Sequence, residues 1–200
     1  MIGQGVTGDA ITSVRLTFDD GPSVWTPRIL DLLFDHDIQA TFFVIGQRIA
    51  DHEDTVERMV DEGHTVGNHT WSHVRLTDPW LDPKCVRMEL ADTQEAFLTL
   101  MGFPLREWRA PYFATNRWVE AVAAEYGLNP HTGADVIPDD WMHDDPDEIA
   151  RRVLDGIAAG GQVVCLHDGV PPDGGSTHCT KSRQPTVDAL ELILEAWSDA

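Results

Sequence analysis

Val14-Arg15-Leu16-Thr17-Phe18-Asp19-Asp20-Gly21-Pro22 is an apolar run that ends in two carboxylates and a turn. The apolar run reads as a strand, with Asp19 and Asp20 at its carboxyl end. Carboxylates this close repel each other, so one tends to be held ionised by a cation or a donor. A division of labour would explain the pair: one carboxylate binds a metal and the other moves a proton. By itself the segment is equally readable as a tight turn, because Asp-Gly and Gly-Pro are common turn dipeptides.

Working outward, the same kind of run recurs at Ala40–Ile45, Thr65–Asn68, Glu107–Arg109, Leu128–His131 and Gln162–Leu166. Helical patterns lie between these runs: Pro27–His36, Asp51–Glu62, Lys84–Met101, Arg117–Tyr126, Pro146–Ala159 and Gln184–Trp197. Thr26 before Pro27 and Asp145 before Pro146 read as N-caps followed by proline at the first helical position. Leu30, Leu33 and Phe34 would form the inner face of the first helix. Strand alternating with helix argues for a parallel sheet with helices outside, here a compact, incomplete barrel. Chemistry in such folds collects at the carboxyl ends of the strands. Asp19, Asp20, His69, Arg109, His167 and Asp168 all fall at such ends.

Two hundred residues suit one domain, 1–200, and a chain of this size buries roughly 70% of its unfolded surface. Hydrophobic residues make up 42% and charged residues 24%, which argues against disorder. Asp and Glu number 34 against 14 Lys and Arg, a formal charge of -20, and the lysines are Lys84 and Lys181. Such a surface repels phosphate backbones and argues against a nucleic-acid partner. Cys85, Cys165 and Cys179 do not make a disulfide framework, and nothing demands that Cys85 and Cys179 pair. Cys165 lies in a strand and reads as a packed thiol. Met1–Ser13 carries neither a basic stretch nor an apolar one of the secretory kind, and no apolar run approaches a membrane span.

His69-Thr70-Trp71-Ser72-His73 spaces two imidazoles by four residues. On a helical turn both rings would share a face and reach one cation, and two histidines plus a carboxylate leave positions open for water. The alternative is two unconnected histidines in a chain that holds nine. Arg109-Ala110-Pro111-Tyr112 puts a fixed cation at a strand end. It could hold a carboxylate by a bidentate pair or make a surface salt bridge. Pro111 could aim the Tyr112 backbone N–H at an oxyanion. His167 after a buried strand suits a general acid, or a core histidine, and Asp140-Trp141 offers a tuning carboxylate and an aromatic wall.

In that order, Thr17-Phe18-Asp19-Asp20-Gly21-Pro22, His69-Thr70-Trp71-Ser72-His73, Arg109-Ala110-Pro111-Tyr112, Asp140-Trp141 and Leu166-His167 resemble the NodB-type polysaccharide deacetylases, carbohydrate esterase family 4. The resemblance spans most of the chain. It implies an α/β fold, a distorted (β/α) barrel, and a divalent metal, usually Zn2+, with Co2+, Ni2+ or Mn2+ as substitutes. By motif position Asp20, His69 and His73 would bind the metal, and Asp19 would be the general base, oriented by Arg109. His167 would be the general acid, tuned by Asp140. The Tyr112 N–H would bind the oxyanion, and Trp141 and Leu166 would wall the acetyl pocket. Many members carry an acidic residue four positions before the motif tryptophan; here that position is Ile137, with acids at Asp135 and Asp139 instead.

The implied activity is removal of N-acetyl groups from β-1,4-linked N-acetylglucosamine chains, of chitin type or in peptidoglycan. The alternatives are O-deacetylation of xylan, a non-catalytic carbohydrate-binding module and a metal phosphoesterase; few cations are available for the last. The expected partner is a polysaccharide or oligosaccharide met by a monomer outside the cell or in its envelope. Trp25, Trp80 and Trp141 are candidates for stacking on sugars, whereas Trp71, Trp118 and Trp197 read as packing residues.

Overall fold

The computed structural model describes residues 14–172, 174 and 179–198. Met1–Ser13, the stretch without a targeting pattern, lies outside the described residues. The strands are β1 (Arg15–Gly21), β2 (Thr41–Val44), β3 (Thr65–Asn68), β4 (Glu107–Trp108) and β5 (Val163–His167). The helices are α1 (Thr26–Asp35), α2 (Glu53–Asp61), α3 (Pro83–Met101), α4 (Arg117–Glu125), α5 (Pro146–Ala158) and α6 (Gln184–Ser198). All strands run parallel in the order β4-β3-β2-β1-β5. Such a sheet is covered on both faces, which is why its strands read as nearly continuous apolar runs.

The strand expected at Leu128–His131 does not form. Its backbone crosses between the two sheet edges instead. The Asn129 and Thr132 amides donate to Arg106 and Trp108 carbonyls beside β4, at 2.7 and 3.0 Å. Further on, Val136 bridges to Val164 of β5. Pro130 has no N–H to give to a ladder, so a regular strand is interrupted there. The crossing ties β4 to β5 and makes this a distorted barrel rather than a flat sheet.

Alternation along β1 sends Leu16 and Phe18 into the core, where Phe18 stacks on Phe42 at 5.1 Å. Thr17 and Asp19 face the other way. In register on β5 sit Thr17 with Cys165, Phe18 with Leu166 and Asp19 with His167. Helix α1 buries Ile29, Leu30, Leu32 and Leu33, but Phe34 is exposed, one step round from the expected face. Thr26 is not the N-cap of α1, because its hydroxyl is spent on Asp168 Oδ2 at 2.6 Å and on the Ser23 amide. Asp145 does cap α5, accepting from the Asp147 amide at 3.1 Å.

Candidate active site

The carboxyl ends of β1, β3, β4 and β5 bring together the polar residues that their sequences placed there. Asp19 is buried at the end of β1, and Arg109, fully buried just beyond β4, donates to its Oδ1 at 2.7 Å. The same guanidinium nitrogen donates to Thr17 Oγ1 at 2.8 Å, and the other two nitrogens reach the Thr132 and Gly133 carbonyls. All three Arg109 guanidinium nitrogens are therefore used, and the crossing segment that replaces the expected strand supplies two of the acceptors. The carboxylate has a counter-charge that does not titrate.

Asp20 turns the other way, with a left-handed backbone at φ 72°. Its Oδ1 lies 3.0 Å from His73 Nε2 and 3.4 Å from His69 Nε2. Neither contact has hydrogen-bond geometry, and Oδ1 is buried without a hydrogen-bond partner among the described residues. His69 Nδ1 donates to the Arg109 carbonyl at 2.8 Å, which leaves Nε2 as the ring atom that can bind a cation. The carboxylate oxygen and two imidazole nitrogens all lie within 4.8 Å of one another. An O,N,N set converging on one point fits a zinc-type cation and explains the orphaned oxygen. Burial pushes the Asp20 carboxyl upward, but His69 and His73 against it, with His167 nearby, hold it well below the usual carboxylate range.

The two histidines do not stand on a helical turn. Thr70 and His73 both have left-handed backbones, φ 67° and 65°. Asn68 shapes this loop: its side chain donates to the Leu90 carbonyl at 3.0 Å and accepts from the Thr70 amide at 2.8 Å. The rings then meet at 5.1 Å, tilted by 52°. Trp71 packs over Gly46, where a Cβ would come within 2.7 Å of the indole. Gly169 is required by a close approach as well, since a Cβ there would lie 2.0 Å from the Asp20 carbonyl oxygen.

On the opposite wall His167 ends β5. Asp140 Oδ1 lies 2.8 Å from its Nδ1, while Oδ2 accepts from the His167 amide at 2.9 Å and from Thr186 Oγ1 at 2.8 Å. Burial lowers the imidazole, but the Asp140 carboxylate more than offsets it and raises His167 to about 9. Asp140 in turn is pulled below the ordinary range, because His167 outweighs the effect of burial.

Tyr112 closes a third side, with φ 60°, its ring 4.9 Å from His73 and beneath the Arg75 guanidinium at 4.5 Å. A cleft of about 470 Å³ opens here, lined by Ser72, His73, Arg75, Trp80 and Tyr112 among others. Another cavity, about 410 Å³, lies at the amino ends of the strands around Arg15 and Asp135, away from these groups.

Most of the expected residues converge: Asp19, Asp20, His69, His73, Arg109, Tyr112, Asp140 and His167. Leu166 does not, being fully buried in the apolar core on the sheet face opposite His167. Strand alternation gives its place at the site to Cys165, whose Sγ lies 3.5 Å from Asp19 Oδ2. Trp141 lies in the short turn Asp140–Met142 and is partly exposed. Asp135 accepts from the Gln162 and Val163 amides, and Asp139 pairs with Arg152 at 3.5 Å. Neither supplies an acid four places before Trp141. Of the sugar-stacking candidates, Trp25 packs on the core and Trp80 is 92% exposed. Trp197 is buried against the core, and Trp118 packs at the surface with Arg87 over its ring at 5.8 Å, the two forms of packing expected of them. Cys85 and Cys179 are both free. Thr17, Cys165 and Thr186 were not singled out as site residues; the spacings Thr17/Asp19 and Cys165/His167 on strands carry the signal for the first two.

The polysaccharide deacetylase family model matches residues 8–131. The chain is 39% identical to a chitooligosaccharide deacetylase of Rhizobium leguminosarum bv. trifolii, over 92% of this chain and 85% of that protein. It is 41% identical to a chitooligosaccharide deacetylase of Bradyrhizobium sp. (strain ANU 289), over 92% and 84%. Its fold superposes on that of the peptidoglycan deacetylase PdaC from Bacillus subtilis with a TM-score of 0.77 and 31% identity, covering 93% of this chain and 83% of that one.

Proposed function

The chain belongs to the polysaccharide deacetylase family and is a hydrolase of that class, and from this premise we propose that it removes N-acetyl groups from N-acetylglucosamine chains of the chitin type, using a divalent metal, zinc. The observation that carries this reading is the meeting of Asp20, His69 and His73 ligand atoms within 4.8 Å, flanked by Asp19 and His167. Relatives that act on chitooligosaccharides support the substrate, and action on glycan outside the cell or in its envelope follows from it. Among the described residues no helix is long and apolar enough to cross a membrane.

Asp20, His69 and His73 are the proposed ligands; a bound divalent ion there would supply Lewis acidity to water and to the amide carbonyl. Asp19 is the general base. Arg109 holds its Oδ1, so Oδ2 is the atom that takes the proton from the attacking water. His167 is the general acid: Asp140 fixes Nδ1 and leaves Nε2 to protonate the leaving amine. At neutral pH an imidazole near pKa 9 starts the reaction with its proton in place. The Tyr112 N–H is the proposed oxyanion donor. Trp141 flanks the acetyl group, and Trp80, the exposed indole at the cleft, is the sugar platform.

Acetate release from chitooligosaccharides, peptidoglycan and acetylated xylan, measured before and after chelation, tests the reading. Chelator-sensitive release from the amide substrates is expected, and Asp19→Asn should lower it by about 10²–10⁴-fold with zinc still bound. Release from xylan alone, or full turnover by Asp19→Asn, overturns it.

A further inference from the structure

Cys165 is the one donor at this site that the deacetylase reading leaves without work. Parallel register sets Thr17 beside Cys165 and Asp19 beside His167, and a two-residue repeat turns all four side chains to the same face. The thiol is fully buried and 3.5 Å from Asp19 Oδ2. One donor atom each from Asp19, Cys165 and His167 lie within 4.8 Å of one another. Nδ1 of His167 is committed to Asp140, so Nε2 is the ring's remaining ligand atom.

We propose that Asp19, Cys165 and His167 form a second cation site, selective for a thiophilic ion such as Cd2+, which shuts the active site when filled. It shares no residue with the Asp20, His69 and His73 set. A carboxylate, a thiolate and a neutral imidazole suit a soft or borderline ion in a four-coordinate site, and exclude Mg2+ and Ca2+, which take oxygen donors. On binding, the S–H bond breaks, its proton and any on Nε2 pass to solvent, and the sulfur electron pair forms the metal bond; no electron is transferred. Burial, and the Asp19 carboxylate after it, keep the thiol protonated in the absence of a cation. The filled site would occupy the groups proposed as base and acid. Asp19 Oδ2 also lies 3.9 Å from His69 Nε2, so the two ions would be neighbours and repel.

The test uses zinc-loaded full-length protein carrying Cys85→Ser and Cys179→Ser, which leaves Cys165 as its one thiol. Cadmium is titrated while the thiolate-to-metal charge-transfer absorption is followed in the ultraviolet. That signal cannot come from cadmium displacing zinc at Asp20, His69 and His73, where there is no sulfur. We expect a band that saturates at one ion per chain, vanishes in Cys165→Ala, and needs at least about tenfold more cadmium in Asp19→Asn and in His167→Gln. Circular dichroism confirms that each variant is folded. Absence of the band in the folded protein, or a midpoint that neither Asp19→Asn nor His167→Gln moves, overturns the site. Half-inhibition by cadmium should shift at least about tenfold upward in Cys165→Ala; an unchanged value overturns the shut-off. The band is read without substrate, so it stands or falls separately from the deacetylase reading.

Discussion

Asp19 and Asp140 are buried carboxylates on opposite walls of one site, and they differ in the kind of basic partner they hold. Asp19 meets Arg109, which is fully buried and permanently charged. Asp140 meets His167, which can lose its charge. The first pair gives its carboxylate a counter-charge that is always present. The second makes a proton-bearing group whose affinity the carboxylate sets. A base is served by the first arrangement and an acid by the second, in keeping with the roles proposed for Asp19 and His167.

Breaking the Arg109 side should have the largest effect. Arg109→Met leaves Asp19 buried without its counter-charge and strands the Thr132 and Gly133 carbonyls. Unfolding by denaturant should show a loss of about 3–5 kcal/mol. A variant with wild-type stability would remove the contrast between the two pairs.

The Asp140 side should show itself in pH dependence. His167 has a folded pKa of about 9 against 6.5 in the unfolded chain. Raised above its unfolded value, it contributes stability fully present below pH 6.5 and lost as pH rises through 9. Metal-free protein should lose on the order of 3 kcal/mol across that window. Asp140→Asn should abolish most of this slope and draw the alkaline limb of kcat/KM down from about 9 toward 6.5. A limb that stays in place would sink the tuning role. The smallest effect belongs to Thr186→Val, which removes one hydrogen bond to Asp140. A loss of about 1.5 kcal/mol is expected in denaturant unfolding.

Much of this was legible in the residues. The runs that became β1, β2, β3 and β5 announced themselves by their apolar character, and Asp145-Pro146 by its cap. The candidate residues that converge were visible as polar groups at strand ends, where chemistry collects in parallel folds. The misreadings each have a local cause. Leu128–His131 has a strand's composition, but its hydrogen bonds go to two different edges. Thr26 has a cap's chemistry, but its hydroxyl oxygen accepts from the Ser23 amide outside the helix while its proton goes to Asp168. Leu166 stands next to His167 in the chain and therefore on the opposite face in a strand. The spacing of His69 and His73 suggested a helical face because side-chain spacing says nothing about the sign of φ.

That last point bears on anyone who would graft this site elsewhere. Asp20, Thr70, His73 and Tyr112 all hold left-handed backbones, none of them glycine. Each such residue is held against its own preference at about 1–3 kcal/mol by the surrounding fold. A host barrel given the same side chains on ordinary strand ends and turns would aim them apart. The portable unit is a set of loops with their supports, including Asn68, Gly46 and Gly169, and a graft that omits these transfers the letters of the motif without its shape.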